Sequence, residues 1–211
     1  MKKAVIFDLD GVIVSTDRYH YEAWKSIADE EGIYFDETIN NRLRGVGRME
    51  SLEIILERAG KEYSPGEKTA MAQKKNDIYR ASLDKLTACD RLEGVTKTLS
   101  ALRERGVRLA IGSSSKNARF ILEKIGYGAY FDAVVDGNDI AKGKPDPEVF
   151  LKAAQRLGLS PAECYVVEDA KTGIDAALAG GFCAVGVHDA AGYERADIAL
   201  NAFSELLDLA F

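Results

Sequence analysis

The spacing of apolar residues changes character twice along the chain. Ala4-Val5-Ile6-Phe7 is an unbroken apolar run, which predicts a strand buried on both faces. Beyond it, the apolar positions follow a helical period for about seventy residues. Trp24, Ile27 and Ala28 repeat this way, as do Leu52, Ile55, Leu56 and Ala59. Further helical turns are predicted from Ile39 to Leu43 and from Glu67 to Leu86, the latter with Met71, Ile78, Tyr79 and Leu83. Gly32, Gly45-Val46-Gly47, Gly60 and Ser64-Pro65-Gly66 break the pattern.

From about Leu92 strand and helix alternate. Strands are predicted at Val107–Ile111, Ala133–Val135, Cys164–Val167 and Cys183–Val187. Helices are predicted at Lys116–Ile125, Pro147–Leu157 and Gly173–Ala179, and Ile198–Leu200 and Ser204–Leu209 finish the chain. Such alternation predicts a doubly wound α/β fold, a parallel sheet with helices on both faces. The helical block is then an insertion after the first strand, a cap over the carboxyl edge of the sheet. Residues 1–14 with 88–211 form the expected α/β core domain, and residues 15–87 the cap domain.

Composition narrows the picture without deciding it. Hydrophobic residues make up 46% of the 211, enough for a real core. A balance of 34 acidic to 28 basic residues gives a net charge of −6 and a pI near 5.1. That argues against a general nucleic-acid binder, which needs a basic face. Cys89, Cys164 and Cys183 are scattered and form no CxxC pair, so neither a disulfide framework nor a zinc site is expected. The N-terminus runs straight into the first strand, and no apolar stretch is long enough for a membrane span. A cytoplasmic monomer acting on a small molecule is the expectation, with no nucleic acid and no membrane.

Four segments carry the candidate chemistry, three of them at strand ends. Asp8 and Asp10 follow the first strand in Phe7-Asp8-Leu9-Asp10-Gly11-Val12, and two carboxylates two positions apart share one side of a strand. One can attack phosphorus while the other handles an alcohol proton. Ile111-Gly112-Ser113-Ser114-Ser115-Lys116-Asn117 offers hydroxyls and a helix start to an anion, although in isolation a plain Ser N-cap is the favoured reading. Lys144, in Lys142-Gly143-Lys144-Pro145-Asp146-Pro147, can neutralise a nucleophile and a transferred phosphoryl group, or simply belong to a loop. Glu168 and Asp169 end the strand Cys164–Val167 with hard oxygen ligands suited to Mg²⁺; an acidic turn heading a helix is the plainer alternative. In a parallel sheet the strand carboxyl ends share one rim, where ligands collect. Four signals of this kind on one rim point to phosphoryl transfer.

In this order the four segments resemble the haloacid dehalogenase superfamily. The resemblance implies a Rossmann-like core, Asp8 as a nucleophile forming an aspartyl-phosphate, and Asp10 as general acid/base. It also implies Ser113 and Lys144 as phosphate and charge stabilisers. Mg²⁺ would be held by Asp8, the Asp10 carbonyl and Asp169, with Glu168 nearby. Within that superfamily, Thr16–Trp24, Arg42–Leu52, Lys75-Asn76-Asp77 and Asp169–Ile174 resemble the branch that moves phosphate between hexose oxygens. For that branch Thr16 and His20 lie at the hinge and engage Asp10. Arg48, Ser115, Lys116 and Asn117 hold the phosphate that is not transferred, while Arg44, Gly45, Val46, Ser51 and Lys75 line the sugar pocket. Ser114 joins the substrate-binding group. Arg44 and Ser114 depart from the Lys and Ala of familiar members.

The implied activity is Mg²⁺-dependent interconversion of β-D-glucose 1-phosphate and glucose 6-phosphate, primed by β-glucose 1,6-bisphosphate. Two other readings use the same residues. A sugar-phosphate phosphatase would replace the sugar hydroxyl by water. A catalytically silent sugar-phosphate binding or regulatory module would bind Mg²⁺ without phosphorylating Asp8. A nucleotide-dependent kinase is disfavoured, because neither a Walker loop nor GxGxxG after a strand is present.

Overall fold

The computed structural model describes residues 1–211. Its six strands are β1 (Ala4–Phe7), β2 (Arg108–Gly112), β3 (Ala133–Val135), β4 (Cys164–Glu168), β5 (Cys183–Gly186) and β6 (Ile198–Ala199). They form one sheet in the order β3-β2-β1-β4-β5-β6, with every pair parallel. The first strand therefore lies at the centre, between β2 and β4. Crossovers leave its two sides in opposite directions, and the strand ends diverge there to leave a crevice.

Continuous apolar strands are required because both faces of the sheet are covered. On one face Val5, Phe7, Leu109, Ile111, Tyr165 and Val167 join a cluster of 28 buried residues, packed by α5 (Val95–Glu104) and α6 (Ala118–Lys124). On the other, Ala4, Ile6, Ala110, Cys164 and Val166 join a cluster of 18, packed by α7 (Glu148–Leu157) and α8 (Lys171–Ala179). The alternation of neighbours between the two clusters is the pleat of the strands.

Between β1 and α5 run four helices: α1 (Asp17–Glu30), α2 (Glu37–Asn41), α3 (Arg48–Leu56) and α4 (Pro65–Leu83). Eleven buried residues hold them together, including Trp24, Ile27, Ile39, Leu52, Ile55 and Met71. This inserted helical cap has its own apolar centre, and Trp24 is part of it. Ala23, Tyr79 and Leu83 belong instead to the larger sheet cluster, so α1 and α4 tie the cap to the core at their other ends. No helix is long and apolar enough to cross a membrane.

Most element ends lie within one to three residues of the expected positions. Helix α4 starts earlier than Glu67 because Ser64 and Glu67 form a reciprocal capping box with Pro65 behind it. Helix α5 was not singled out in the sequence, although Val95, Thr98, Leu99 and Leu102 bury one face at helical spacing. Ser204–Leu209 is covered by a 3₁₀ turn, Phe203–Asp208.

Candidate active site

Asp8, Ser113 and the Glu168–Asp169 pair sit where β1, β2 and β4 run out. The Asp8 N–H still donates to the Val167 carbonyl at 3.0 Å, extending the β1–β4 ladder by one residue. Its carboxylate is thereby fixed on the rim. Gly11 then turns the chain with φ +78°, and a Cβ there would lie 2.1 Å from Asp169 Oδ2. Only glycine allows both the turn and the close approach.

Lys144 lies in the loop before α7, buried with its ammonium above the Phe150 ring. Its Nζ donates to Asp8 Oδ1 at 2.6 Å and also to Glu168 Oε1. Burial works against the ammonium, but the carboxylates of Asp8 and Glu168 outweigh it and hold Lys144 above the ordinary lysine range. The other oxygen of Glu168 accepts from the Ala170 N–H at 3.0 Å. Both oxygens of Glu168 are thus engaged, and its observed role is to hold Lys144 against Asp8.

Carboxylate oxygens of Asp8, Glu168 and Asp169 lie within 4.8 Å of one another, all three residues buried. One ammonium serves three acids. Burial, followed by repulsion from Glu168 and Asp8, pushes the Asp169 carboxyl upward. A hard divalent cation between Asp8 and Asp169 would supply the missing positive charge, so the donor set fits such an ion.

Asp10 has different surroundings, although it is only two residues from Asp8. The Thr16 hydroxyl donates to its Oδ1, and Thr16 Oγ1 is 2.9 Å from the Tyr79 hydroxyl of α4. Burial raises the Asp10 carboxyl to about 7, opposed by the Thr16 hydrogen bond and reinforced by Asp8 and Asp17. A carboxyl poised there can both give and take a proton.

The cap supplies a second set of groups. Lys75 Nζ lies 2.8 Å from His20 Nδ1 and sits over the rings of Trp24 and Tyr79 at 4.9 and 4.5 Å. Burial, then the nearby Arg48, lowers Lys75 to about 7. Burial, then Lys75 and Arg48, holds the His20 imidazole well below its usual range, so it is a neutral acceptor. Arg48 opens α3, and burial draws its pKa down.

On the rim, Ser113 Oγ accepts from the Ser115 N–H at 3.2 Å, and Ser115 Oγ from the Asn117 N–H at 3.2 Å. The Asn117 amide donates across to Asn76 of α4 at 2.9 Å. Ser114 Oγ is buried with no partner. One cleft of about 450 Å³ gathers these groups. Asp8, Asp10, Ser113, Ser114, Ser115, Lys116, Asn117, Lys144 and Asp169 line it from the sheet rim. His20, Arg44, Gly45, Val46, Arg48, Ser51 and Lys75 line it from the cap. Thr16 and Glu168 lie behind this lining, each hydrogen-bonded to a group that faces it.

Three neighbours were not singled out from the sequence: Tyr79, Asn76 and Asp17. Tyr79 and Lys75 are four residues apart, on one face of α4, which was the available signal. Tyr79 reads as core by period alone, and only its hydroxyl gives it a polar task. Nothing in the sequence pairs Asn76 with Asn117.

A rim of this kind, with a helical cap inserted behind the first strand, defines a phosphoryl-transfer enzyme of the haloacid dehalogenase type. The haloacid dehalogenase-like hydrolase family model matches residues 2–181, and the chain belongs to that family. Among individual relatives, it is 44% identical to β-phosphoglucomutase of Bacillus subtilis, over 97% of this chain and 91% of the relative. Fructose-1-phosphate phosphatase of Escherichia coli is 34% identical over 87% and 95%. A crystal structure of β-phosphoglucomutase from Clostridium difficile superposes with TM-score 0.92 and 38% identity, covering 98% of this chain and 93% of that one.

Proposed function

We propose that this protein interconverts β-D-glucose 1-phosphate and glucose 6-phosphate by phosphoryl transfer through Asp8. One observation carries the reading: the cleft that holds Asp8, Lys144 and Asp10 on its rim also takes Arg48 from the cap and Lys116 with Asn117 from the rim loop. A hexose bisphosphate has one phosphate for each set. The 44% identity to a β-phosphoglucomutase across nearly the whole chain supports the same reading.

In this mechanism the Asp8 carboxylate attacks phosphorus and becomes an aspartyl-phosphate, first loaded by β-glucose 1,6-bisphosphate. Lys144 offsets charge on the acid and on the transferring group, and Glu168 keeps it there. Asp8, the Asp10 carbonyl and Asp169 would hold Mg²⁺, which spreads the charge of the phosphoryl oxygens when bound. A sugar hydroxyl then attacks the aspartyl-phosphate, and Asp10 takes its proton. Arg48 with Ser115, Lys116 and Asn117 grips the distal phosphate, while Arg44, Gly45, Val46, Ser51 and Lys75 face the sugar. The 1,6-bisphosphate turns over, Asp8 takes back the other phosphoryl group from the opposite end, and Asp10 returns its proton to the departing sugar oxygen. Thr16 holds Asp10 for both transfers.

The reading includes residues 15–87 as a mobile cap on a core of residues 1–14 and 88–211. It also includes a monomer working in the cytoplasm, since one chain supplies every group of the cleft. The test offers α- and β-glucose 1-phosphate to the protein with Mg²⁺ and primer, following glucose 6-phosphate and free phosphate together. Conversion of the β-anomer with little phosphate release is expected. Stoichiometric phosphate release would instead identify a phosphatase, and no turnover with intact Mg²⁺ binding a silent binding module.

A further inference from the structure

One guanidinium joins three separate parts of the molecule. Arg44 lies on the loop between α2 and α3 and lines the cleft. Its Nη2 donates to Asp17, the first residue of α1, at 2.5 Å. Its Nη1 donates to Asp189, on the 3₁₀ turn His188–Gly192 that follows β5. This turn is entered through His188, the one non-glycine residue with positive φ, at 50°. The loop touches the core through its backbone as well. Thr172 of α8 donates from its hydroxyl to the Arg44 carbonyl at 3.5 Å, and a Cβ on Gly45 would lie 2.4 Å from that hydroxyl. Arg44 Nε, finally, is buried without a partner.

Asp189 has no place in the phosphoryl-transfer chemistry. It does not line the cleft, and its side chain is 73% exposed. We propose that Asp189 is a positioning residue: with Asp17 it clamps the Arg44 guanidinium, docking the cap loop on the core and leaving Nε–H for an oxygen of the bound sugar phosphate. The part played by the sugar phosphate rests on the function proposed above; the docking does not.

The physical logic is a balance. Closing the cap over an empty cleft strands a buried N–H, which is costly. The ion pair at Asp189 favours closure, though weakly, because it is exposed and screened. A ligand oxygen meeting Nε–H removes the cost and leaves the attraction, so closure follows occupancy. A guanidinium suits the task because its planar fork can bind two carboxylates and still offer a third donor.

Asp189→Asn removes the charge at constant size, and Asp189→Glu restores it. Amide hydrogen exchange over residues 43–47 in the sugar-free protein reads the docking. The Asn variant should exchange roughly two- to fivefold faster there, with most of the protection recovered in the Glu variant. In 1 M NaCl the wild type should move toward the Asn variant. With β-glucose 1-phosphate, KM should rise by a similar factor. Meanwhile kcat, and phosphorylation of Asp8 by acetyl phosphate, should stay within about twofold, since the clamp acts on closure over the sugar. Unchanged exchange overturns the clamp. Faster exchange with an unchanged KM overturns the part given to the sugar phosphate and leaves docking alone. Equal losses in kcat and in the acetyl phosphate reaction reveal general damage and also overturn it. Exchange that shifts as expected in a protein that turns over no sugar phosphate upholds the clamp and defeats the hexose reading instead.

Discussion

Asp8 and Asp10 are separated by a single leucine but meet opposite partners. Lys144 donates to Asp8 at 2.6 Å, while burial, opposed by the Thr16 hydrogen bond, raises the Asp10 carboxyl to about 7. A hydroxylamine-sensitive phospho-adduct on Asp8 is expected by mass spectrometry in the wild type, and Asp8→Asn should abolish both it and turnover. Asp10→Asn should keep formation of that adduct from acetyl phosphate and lose transfer to sugar by about 10²- to 10⁴-fold. An Asp10→Asn enzyme that transfers to glucose phosphate at the wild-type rate would remove the acid/base assignment. Lys75 offers a test without substrate. It is buried, it faces His20, Arg48 and Asp10, and its pKa falls from 10.5 to about 7. Between those values the unfolded chain carries a proton that the folded chain lacks. Stability therefore rises with pH across that window by about 1.4 kcal/mol per unit, and the penalty is full below pH 7. In urea melts, the stability advantage of Lys75→Met over wild type should shrink steadily from pH 7 to pH 9. A constant difference would mean that Lys75 remains charged in the fold.

Helix α4 is the element on which the cap side of the cleft depends, because Lys75, Asn76 and Tyr79 all ride on it. Its start is set locally, by Ser64 accepting from the Glu67 N–H and Glu67 accepting in return from the Ser64 N–H. Ser64→Ala should cost about 1 kcal/mol, lowering Tm by about 2–4 °C. Because the capping box is exposed and remote from the chemistry, kcat/KM should be unchanged; a matching loss of activity would show that the helix end moves the site. Elements with a strong local signal were legible in this chain: the unbroken apolar strand Ala4–Phe7 and the capped helix Pro65–Leu83. Helix α5 is less legible because Thr98 interrupts its buried apolar row, and its polar face looks like the loops around it.

At the scale of the molecule, the proposed function puts phosphoryl transfer on the sheet rim and shares the distal phosphate between the rim loop and Arg48 of the cap, so a mutation in the cap should separate grip from chemistry. Arg48 opens α3 beside the cleft and takes no part in the network of Asp8, Lys144 and Glu168. Arg48→Ala should raise KM for the sugar phosphate and lower kcat, because grip on the distal phosphate also positions the reacting hydroxyl. Asp8 phosphorylation by acetyl phosphate, a donor with no second phosphate, should change much less. Arg48→Lys should restore only part of the loss, since an ammonium cannot make the paired contact. Equal slowing with both donors would place Arg48 in the chemistry and not in the grip.

The residues at the ends of β1, β2 and β4, and the loop lysine before α7, were legible in the sequence. Parallel strands bring their carboxyl ends to one rim whatever the details of packing, and apolar runs mark where strands stop. The seventy-odd helical residues after β1 could likewise be assigned to an insertion from period alone. Tertiary structure alone decided which polar side chains meet. Glu168 is turned onto Lys144, Tyr79 onto Thr16, Asn76 onto Asn117, and Arg44 onto Asp189 across 145 positions of chain. No local rule links residues so far apart. The pairings that cross to the cap follow from how α1 and α4 seat it over the rim, and burial strengthens the Glu168–Lys144 and Tyr79–Thr16 contacts, while the Arg44–Asp189 pair stays exposed.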